Sequence, residues 1–162
     1  MHELVKELYG EYGRYVNQFR SFPHILDGAK LVDRRLLFSL YEVARTKLMK
    51  SANIVGHCMS YHPHGDASIY GSLVGLVRNG LAIGQGNWGS KIGIEEAPAA
   101  ASRYTEVKSS PEMLGLAFEN IEYVPRDIIE FKKEPLFLPT MFPICLIGSE
   151  YSQGVGFGYR TL

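Results

Sequence analysis

Hydrophobic positions recur with a helical period through the first part of the chain. Leu4, Leu8, Tyr12, Tyr15 and Phe19 lie three or four residues apart, so they share one face of a helix predicted over 3–19. Gly10 and Gly13 weaken that helix, and Pro23 with the Asp27-Gly28 pair ends it in a loop. A second stripe, Val32, Leu36, Leu40 and Val43/Ala44, predicts a helix over 31–48 with Arg34 and Arg35 off the stripe. A short third helix fits 50–60. Pro63 and Gly65 then break the chain, and Asp66 is an N-cap candidate for a fourth helix reaching about Asn79.

The pattern changes after residue 80. Gly80, Gly84, Gly86, Gly89 and Gly93 crowd a short stretch that reads as loop or short strand. Short helices followed by such a stretch predict a helix-turn-helix with a wing. Residues 111–121 return to helix. From Pro125 the chain is strand-like and punctuated by Pro135, Pro139 and Pro143. It runs out in an apolar, glycine-rich segment, Gly148 to Gly158, without a polar cap, which predicts a continuation in a larger protein. The expected class is α+β.

Composition narrows the function. The 162 residues are 46% hydrophobic and 21% charged, which is ordinary for a soluble domain. No apolar run approaches the ~18 residues of a spanning helix, and no signal-peptide core follows Met1–Lys6. No membrane partner is expected. Cys58 and Cys145 lie far apart without a CxxC pair, so neither a disulfide framework nor a zinc site is predicted, and a reducing compartment is. Seventeen basic and 17 acidic residues cancel, yet they are unevenly spread. Arg20, Lys30, Arg34, Arg35, Arg45, Lys47 and Lys50 outnumber Asp27, Asp33 and Glu42 over 20–50. Such a segment can face phosphates, although a solvated helix with mixed charges is the plainer interpretation.

Several motifs carry candidate chemistry. Gly84-Gln-Gly86-Asn-Trp-Gly89 looks like a dinucleotide signature, but no helix pattern follows it, so that reading is rejected. No Walker A sequence is present. Tyr61-His62-Pro63-His64-Gly65-Asp66 admits three readings: a metal site, a polar turn capping a helix, or a phosphate contact at a helix N-terminus. In Arg103-Tyr104, a phenol can attack phosphorus while the guanidinium stabilises the transition state. A tyrosine of ordinary pKa ~10 needs that help, and with ten tyrosines in the chain a packing role is the alternative. No acidic metal cluster appears.

Taken together, these segments resemble one family. Tyr12, Arg20-x-x-Pro23 and Asp27-Gly-Ala-Lys-Leu-Val-Asp-Arg-Arg-Leu-Leu37 are similar to the start of the cleavage subunit of type IIA DNA topoisomerases. That group includes the A subunit of gyrase and the cleavage subunit of topoisomerase IV. Lys50-Ser-Ala-Asn-Ile-Val-Gly56, Tyr61-His-Pro-His-Gly-Asp66, Gly84-Gln-Gly-Asn-Trp-Gly-Ser90 and Ala99-Ala-Ala-Ser-Arg-Tyr-Thr-Glu106 continue the match. Glu134-Pro-x-x-Leu-Pro139 and Gly148 to Thr161 complete it.

The resemblance implies a fold: an N-terminal arm over 1–22, a winged-helix cleavage domain over 23–122 and the beginning of a tower domain over 123–162. It implies double-strand breakage and reunion of DNA, with Tyr104 as the nucleophile of a 5′-phosphotyrosyl link and Arg103 as transition-state stabiliser. His64 is implied as a proton-transfer group. Arg20, Lys30, Arg34, Arg35 and His62 are implied around the DNA backbone, with Arg35 favoured over Arg34 as a phosphate contact. Val155 is implied as the apolar wedge that enters the base stack. The implied partners are double-stranded DNA, a second copy in a homodimer and a TOPRIM/ATPase subunit or domain. That partner would carry Mg2+, leaving this chain with no metal ligand, and ATP would act only in the full enzyme. The implied location is cytoplasmic, at a nucleoid or in a host cell.

The sequence also departs from the family. The stretch between Ser90 and Arg103 is longer than the bacterial pattern has. Trp88 replaces a usual Phe, and Leu31 and Asp33 replace a usual Pro and Gln or His. Ala67 and Gly71 stand where the bacterial enzymes use a Ser and an acid to hold the water–metal bridge to quinolones. These changes predict quinolone resistance and suggest a divergent, viral or phage lineage. Two other readings remain: a module that binds duplex DNA without cutting it, and an interaction piece that docks through the stripe of residues 4–19, whose alternative is ordinary core packing.

Overall fold

The computed structural model describes residues 2–90, 97–147, 151–156 and 158–160. The first helix, α1 (His2–Val16), continues into a π-helical turn over Asn17–Ser21. Its stripe is not core. Leu4, Leu8, Tyr12 and Tyr15 stay exposed, and Gly13 is the buried position of α1. Helix α2 (Leu31–Val43) carries most of the core, from Leu36 to Leu40. It ends before the predicted residue 48 because Arg45 folds back, donating to the Tyr41 carbonyl at 3.2 Å and stacking on the Tyr41 ring. The chain is thereby freed to form β1 (Met49–Lys50).

Helices α3 (Ser51–Met59) and α4 (Asp66–Arg78) follow and pack with α2 through Ile54, Cys58, Ile69 and Leu73. Gly65, not Asp66, is the N-cap of α4, and Asp66 is its first helical residue, where a carboxylate still favours the helix dipole. Strands β2 (Ala82–Gln85) and β3 (Glu106–Ser109) pair antiparallel, and β1 joins the far side of β3, giving the order β1-β3-β2. The long β2–β3 connection is the wing. Three helices and this small sheet form the winged-helix arrangement.

Helix α5 (Pro111–Ala117) starts with Pro at its first position and Ser110 accepting from the Met113 N–H at 3.0 Å, a standard N-terminal solution. Two hairpins complete the chain: β4 (Arg126–Ile128) with β5 (Lys133–Pro135), and β6 (Tyr151–Gln153) with β7 (Gly158–Arg160). The 27–28 loop is pinned to the later chain, since Ile144 N–H donates to the Asp27 carbonyl and Cys145 N–H to that of Gly28. Gly28 has φ +64°, and an added Cβ would lie 2.6 Å from Pro143. Only glycine fits that approach. Among the described residues no helix is long and apolar enough to cross a membrane.

Candidate active site

The Arg103-Tyr104 pair lies at the end of the wing connection, just before β3, and its backbone is held from both sides. A helix N-terminus leaves its first N–H groups without intrahelical partners. In α3 those of Ser51 and Ala52 are taken by the carbonyls of Thr105 and Ser102, at 3.0 and 3.2 Å. The fully buried Thr105 donates its hydroxyl to Ser51 Oγ at 2.8 Å. From α4, the Tyr70 hydroxyl donates to the Ala100 carbonyl and lies 3.0 Å from Thr105 Oγ1. Gly86, at φ +102°, passes so close to the Tyr104 carbonyl that a Cβ would sit 3.3 Å from it. The backbone around Tyr104 is thus anchored while its side chain is 64% exposed. The Arg103 guanidinium stands 4.6 Å from the Tyr104 ring centre. An exposed phenol beside a cation on a held backbone can reach an external phosphate.

Arg78 closes the wing connection by donating to the carbonyls of Trp88 and Ala97 at 2.9 and 3.1 Å. The longer stretch before Arg103 falls partly outside the described residues, which resume at Ala97. Trp88 is buried and donates to the Gln85 carbonyl at 3.2 Å.

A second group of side chains gathers where the π-helical turn meets the Tyr61–Gly65 turn. Arg20, His62, His64 and Ser68 line a cleft of about 130 Å³, with Phe19 and Val32 as apolar walls. Arg20 Nη2 lies 3.2 Å from His64 Nδ1. His62 is buried, and its Nδ1 lies 2.8 Å from Arg35 Nη1. Burial, with the Arg35 and His64 charges, pushes the His62 imidazole down to about 4, so it is neutral at neutral pH and accepts from Arg35. His62, His64 and Glu130 bring donor atoms within 4.8 Å of one another. Two imidazoles do not suit Mg2+, which demands an octahedron of oxygen ligands. Two guanidiniums on the same donors also oppose any cation. The cleft favours an anion.

The family of the DNA gyrase/topoisomerase IV A subunit matches residues 20–162. The chain belongs to this family. The A subunit of DNA topoisomerase 4 from Bacillus subtilis is 36% identical over 177 residues, covering 99% of this chain and 21% of that protein. The Borreliella burgdorferi protein of the same name is 37% identical over 165 residues, covering 98% and 25%. The DNA gyrase A subunit from Haloquadratum walsbyi is 36% identical over 173 residues, covering 97% and 19%. The chain therefore spans a fifth to a quarter of these relatives.

Arg34 and Arg35, expected around the DNA backbone, are both buried and paired within the chain. Arg34 donates from Nε and Nη2 to Asp27, at 2.7 and 3.2 Å. Asp27 also accepts from the Ala29 and Leu138 N–H groups. Arg35 is 1% exposed. It donates from Nε and Nη2 to Glu134 at 2.8 and 2.6 Å and from Nη1 to Glu130 at 2.7 Å. Burial works against its charge, but the bonds to Glu134 and Glu130 outweigh it and raise its pKa.

Val155, expected as the wedge, is seated against α1. Its side chain packs on Gly13 of α1, and its backbone N–H and carbonyl both bond the Asn17 amide, at 2.8 and 3.0 Å. Lys30 is half-buried as the N-cap residue of α2. His64 and Tyr104 stand apart in the contact network: among the described residues no hydrogen bond or ring contact joins Tyr104 to His62, His64 or Arg20. Sequence reasoning missed Asp27, Glu130, Glu134 and Tyr15. The Glu134-Pro135 and Asp27-Gly28 pairs stood out in the sequence, but nothing local showed which cations they serve.

Proposed function

We infer that this chain is the N-terminal part of a type IIA topoisomerase cleavage subunit that breaks and rejoins duplex DNA. The observation that carries the reading is Tyr104: an exposed phenol beside Arg103 on a backbone tied to the start of α3. In the proposed reaction the Tyr104 oxygen attacks a backbone phosphorus and forms a 5′-phosphotyrosyl bond, and the 3′ oxygen leaves. Arg103 meets the charge that grows on the phosphoryl oxygens. The phosphodiester energy is kept in the new bond, so resealing needs no ATP. The Arg20–His64 cleft holds the backbone nearby, with Lys30 as a further cation. No Mg2+ is assigned to the residues of this chain. The ion and ATP belong to a TOPRIM- and ATPase-bearing partner in the full enzyme, which acts as a homodimer because two strands are cut. The setting is cytoplasmic.

Residues 23–122 form the cleavage domain in this reading, and 123–162 begin the tower. The exposed stripe Leu4, Leu8 and Tyr12, with Val5 and Tyr9 beside it, supports a docking role for the arm over 1–22. The direct test is a covalent protein–DNA adduct at a 5′ end that Tyr104→Phe abolishes. A module that only holds DNA would bind with the steep salt dependence of phosphate contacts and give no adduct.

A further inference from the structure

We propose that Glu130 is a resident anion of the Arg20–His64 cleft, occupying donors that a DNA phosphate uses and yielding them when duplex binds. This rests on the reading of the chain as a duplex-binding cleavage subunit.

Glu130 lies on the turn between β4 and β5 and is held by three separate elements. Its Oε2 accepts from Arg35 Nη1 of α2 at 2.7 Å. Its Oε1 accepts from the Tyr15 hydroxyl of α1 at 3.0 Å and lies 3.6 Å from His64 Nε2. A guanidinium, a phenol and an imidazole are the donors that recognise a phosphate oxygen.

Arg35 does not need Glu130 for neutrality. The buried Glu134 already satisfies its Nε and Nη2 with a two-bond pair, so Glu130 is a second anion on one guanidinium. The two carboxylates differ in access: the Glu134 side chain is 1% exposed and that of Glu130 is 18%. Glu134 is therefore the fixed partner and Glu130 the exchangeable one. Burial disfavours the Glu130 charge, but the hydrogen bonds from Arg35 and Tyr15 and the Arg35 charge together outweigh burial and keep its pKa below the usual range, so the group is anionic at neutral pH. Withdrawing Glu130 removes one negative charge from the side of Arg35 and Arg20, at a cleft open to solvent through Arg20, His64 and Ser68.

The test compares the wild-type protein, assembled with its partner, with Glu130→Gln, Glu130→Asp and Glu122→Gln. Glutamine is isosteric and keeps the fold, which circular dichroism checks. Aspartate keeps the charge but withdraws it by one methylene. Glu122 is an exposed acid on the Ile121–Tyr123 turn. Duplex affinity is measured across salt, and inorganic phosphate is titrated against the His64 ring signals by NMR. Glu130→Gln should tighten duplex binding about three- to ten-fold at low salt, because no carboxylate has to be displaced. Glu130→Asp should tighten binding as well, and Glu122→Gln should leave the affinity within about two-fold of wild type. Phosphate should shift the His64 signals at lower concentration in Glu130→Gln than in wild type. Matching affinities for Glu130→Gln and Glu122→Gln, or wild-type behaviour of Glu130→Asp, would reduce Glu130 to a background charge and overturn the proposal. Absence of salt-dependent duplex binding in every form would overturn the duplex reading instead. The phosphate titration then still decides Glu130: equal His64 responses in wild type and Glu130→Gln overturn it.

Discussion

Arg35 on α2 and Glu134 on β5 are joined by two parallel hydrogen bonds of 2.8 and 2.6 Å, with both side chains buried. The pair ties the core helix to the β4–β5 hairpin across ninety-nine residues of sequence. Burial lifts the Glu134 carboxyl above its ordinary value in spite of Arg35, so the ion pair is held against a desolvation cost. Removing Glu134 takes two of the charged hydrogen bonds from the buried Arg35 and leaves it only the bond to the more exposed Glu130. Glu134→Ala should cost about 3–5 kcal/mol of folding stability and lower the thermal midpoint by roughly 10 °C. Arg35→Met combined with Glu134→Leu should recover much of that loss, as measured by denaturant unfolding.

Stability should also fall on mild acidification. The His62 imidazole is pushed from an ordinary 6.5 down to about 4 by burial and by Arg35. Between those values the unfolded chain binds a proton that the folded chain refuses. Stability is then fully present above about pH 6.5 and declines toward pH 4, by about 3 kcal/mol in all. His62→Gln should flatten the curve across that window in urea midpoints taken at successive pH values. Glu130 acts from the acid edge of that window downward. Its folded pKa is lowered, so its contribution is present above the ordinary carboxylate value and lost as pH falls through the folded one.

Arg78 bridges two carbonyls of the wing connection, and Tyr104 follows that connection. Arg78→Ala should lower the yield of protein–DNA adduct about 10- to 100-fold through misplacement of the nucleophile. Duplex affinity should change less than about two-fold, because Arg78 binds its own chain. A parallel loss of binding and adduct would show that Arg78 serves the DNA directly.

The quinolone expectation has a structural test. Ala67 and Gly71 both lie exposed on α4, and an added Cβ at Gly71 meets no atom within 4 Å. Ala67→Ser with Gly71→Glu should therefore fold normally and gain drug-stabilised cleavage at fluoroquinolone concentrations that leave the wild-type enzyme unaffected. Trapping of wild-type cleavage complexes at low drug would contradict this.

The helices were legible because their apolar spacing is local. The α3–α4 turn was marked by Pro63 and Gly65, and the wing by its glycines. Two local signals misled. Asp66 has the chemistry of an N-cap, yet the extended backbone belongs to Gly65. The helix predicted to residue 48 outruns its apolar stripe, which ends at Val43/Ala44, and Met49 pairs with Val107 in the sheet. Burial of Arg34 and Arg35 was not legible at all. Arginines off an apolar stripe read as solvent-facing, and their partners lie far along the chain, with Glu134 in a segment whose strand character gave no register. The same distance hid Glu130 and the seat of Val155 on Gly13. Arg103-Tyr104 was visible as a pair, whereas its anchoring by Ser51, Ala52 and Tyr70 depends on the tertiary fold.

The most direct measurement is the covalent adduct. The full-length protein, with its Mg2+-carrying partner, is mixed with duplex DNA labelled at the 5′ or 3′ end, stopped with detergent and run on a denaturing gel beside Tyr104→Phe. The account predicts protein linked to the 5′ end of the broken strand, so that only the 3′ label migrates with protein, and no adduct in Tyr104→Phe. An adduct that persists in Tyr104→Phe, or duplex binding by a folded wild-type enzyme that never yields one, would contradict it.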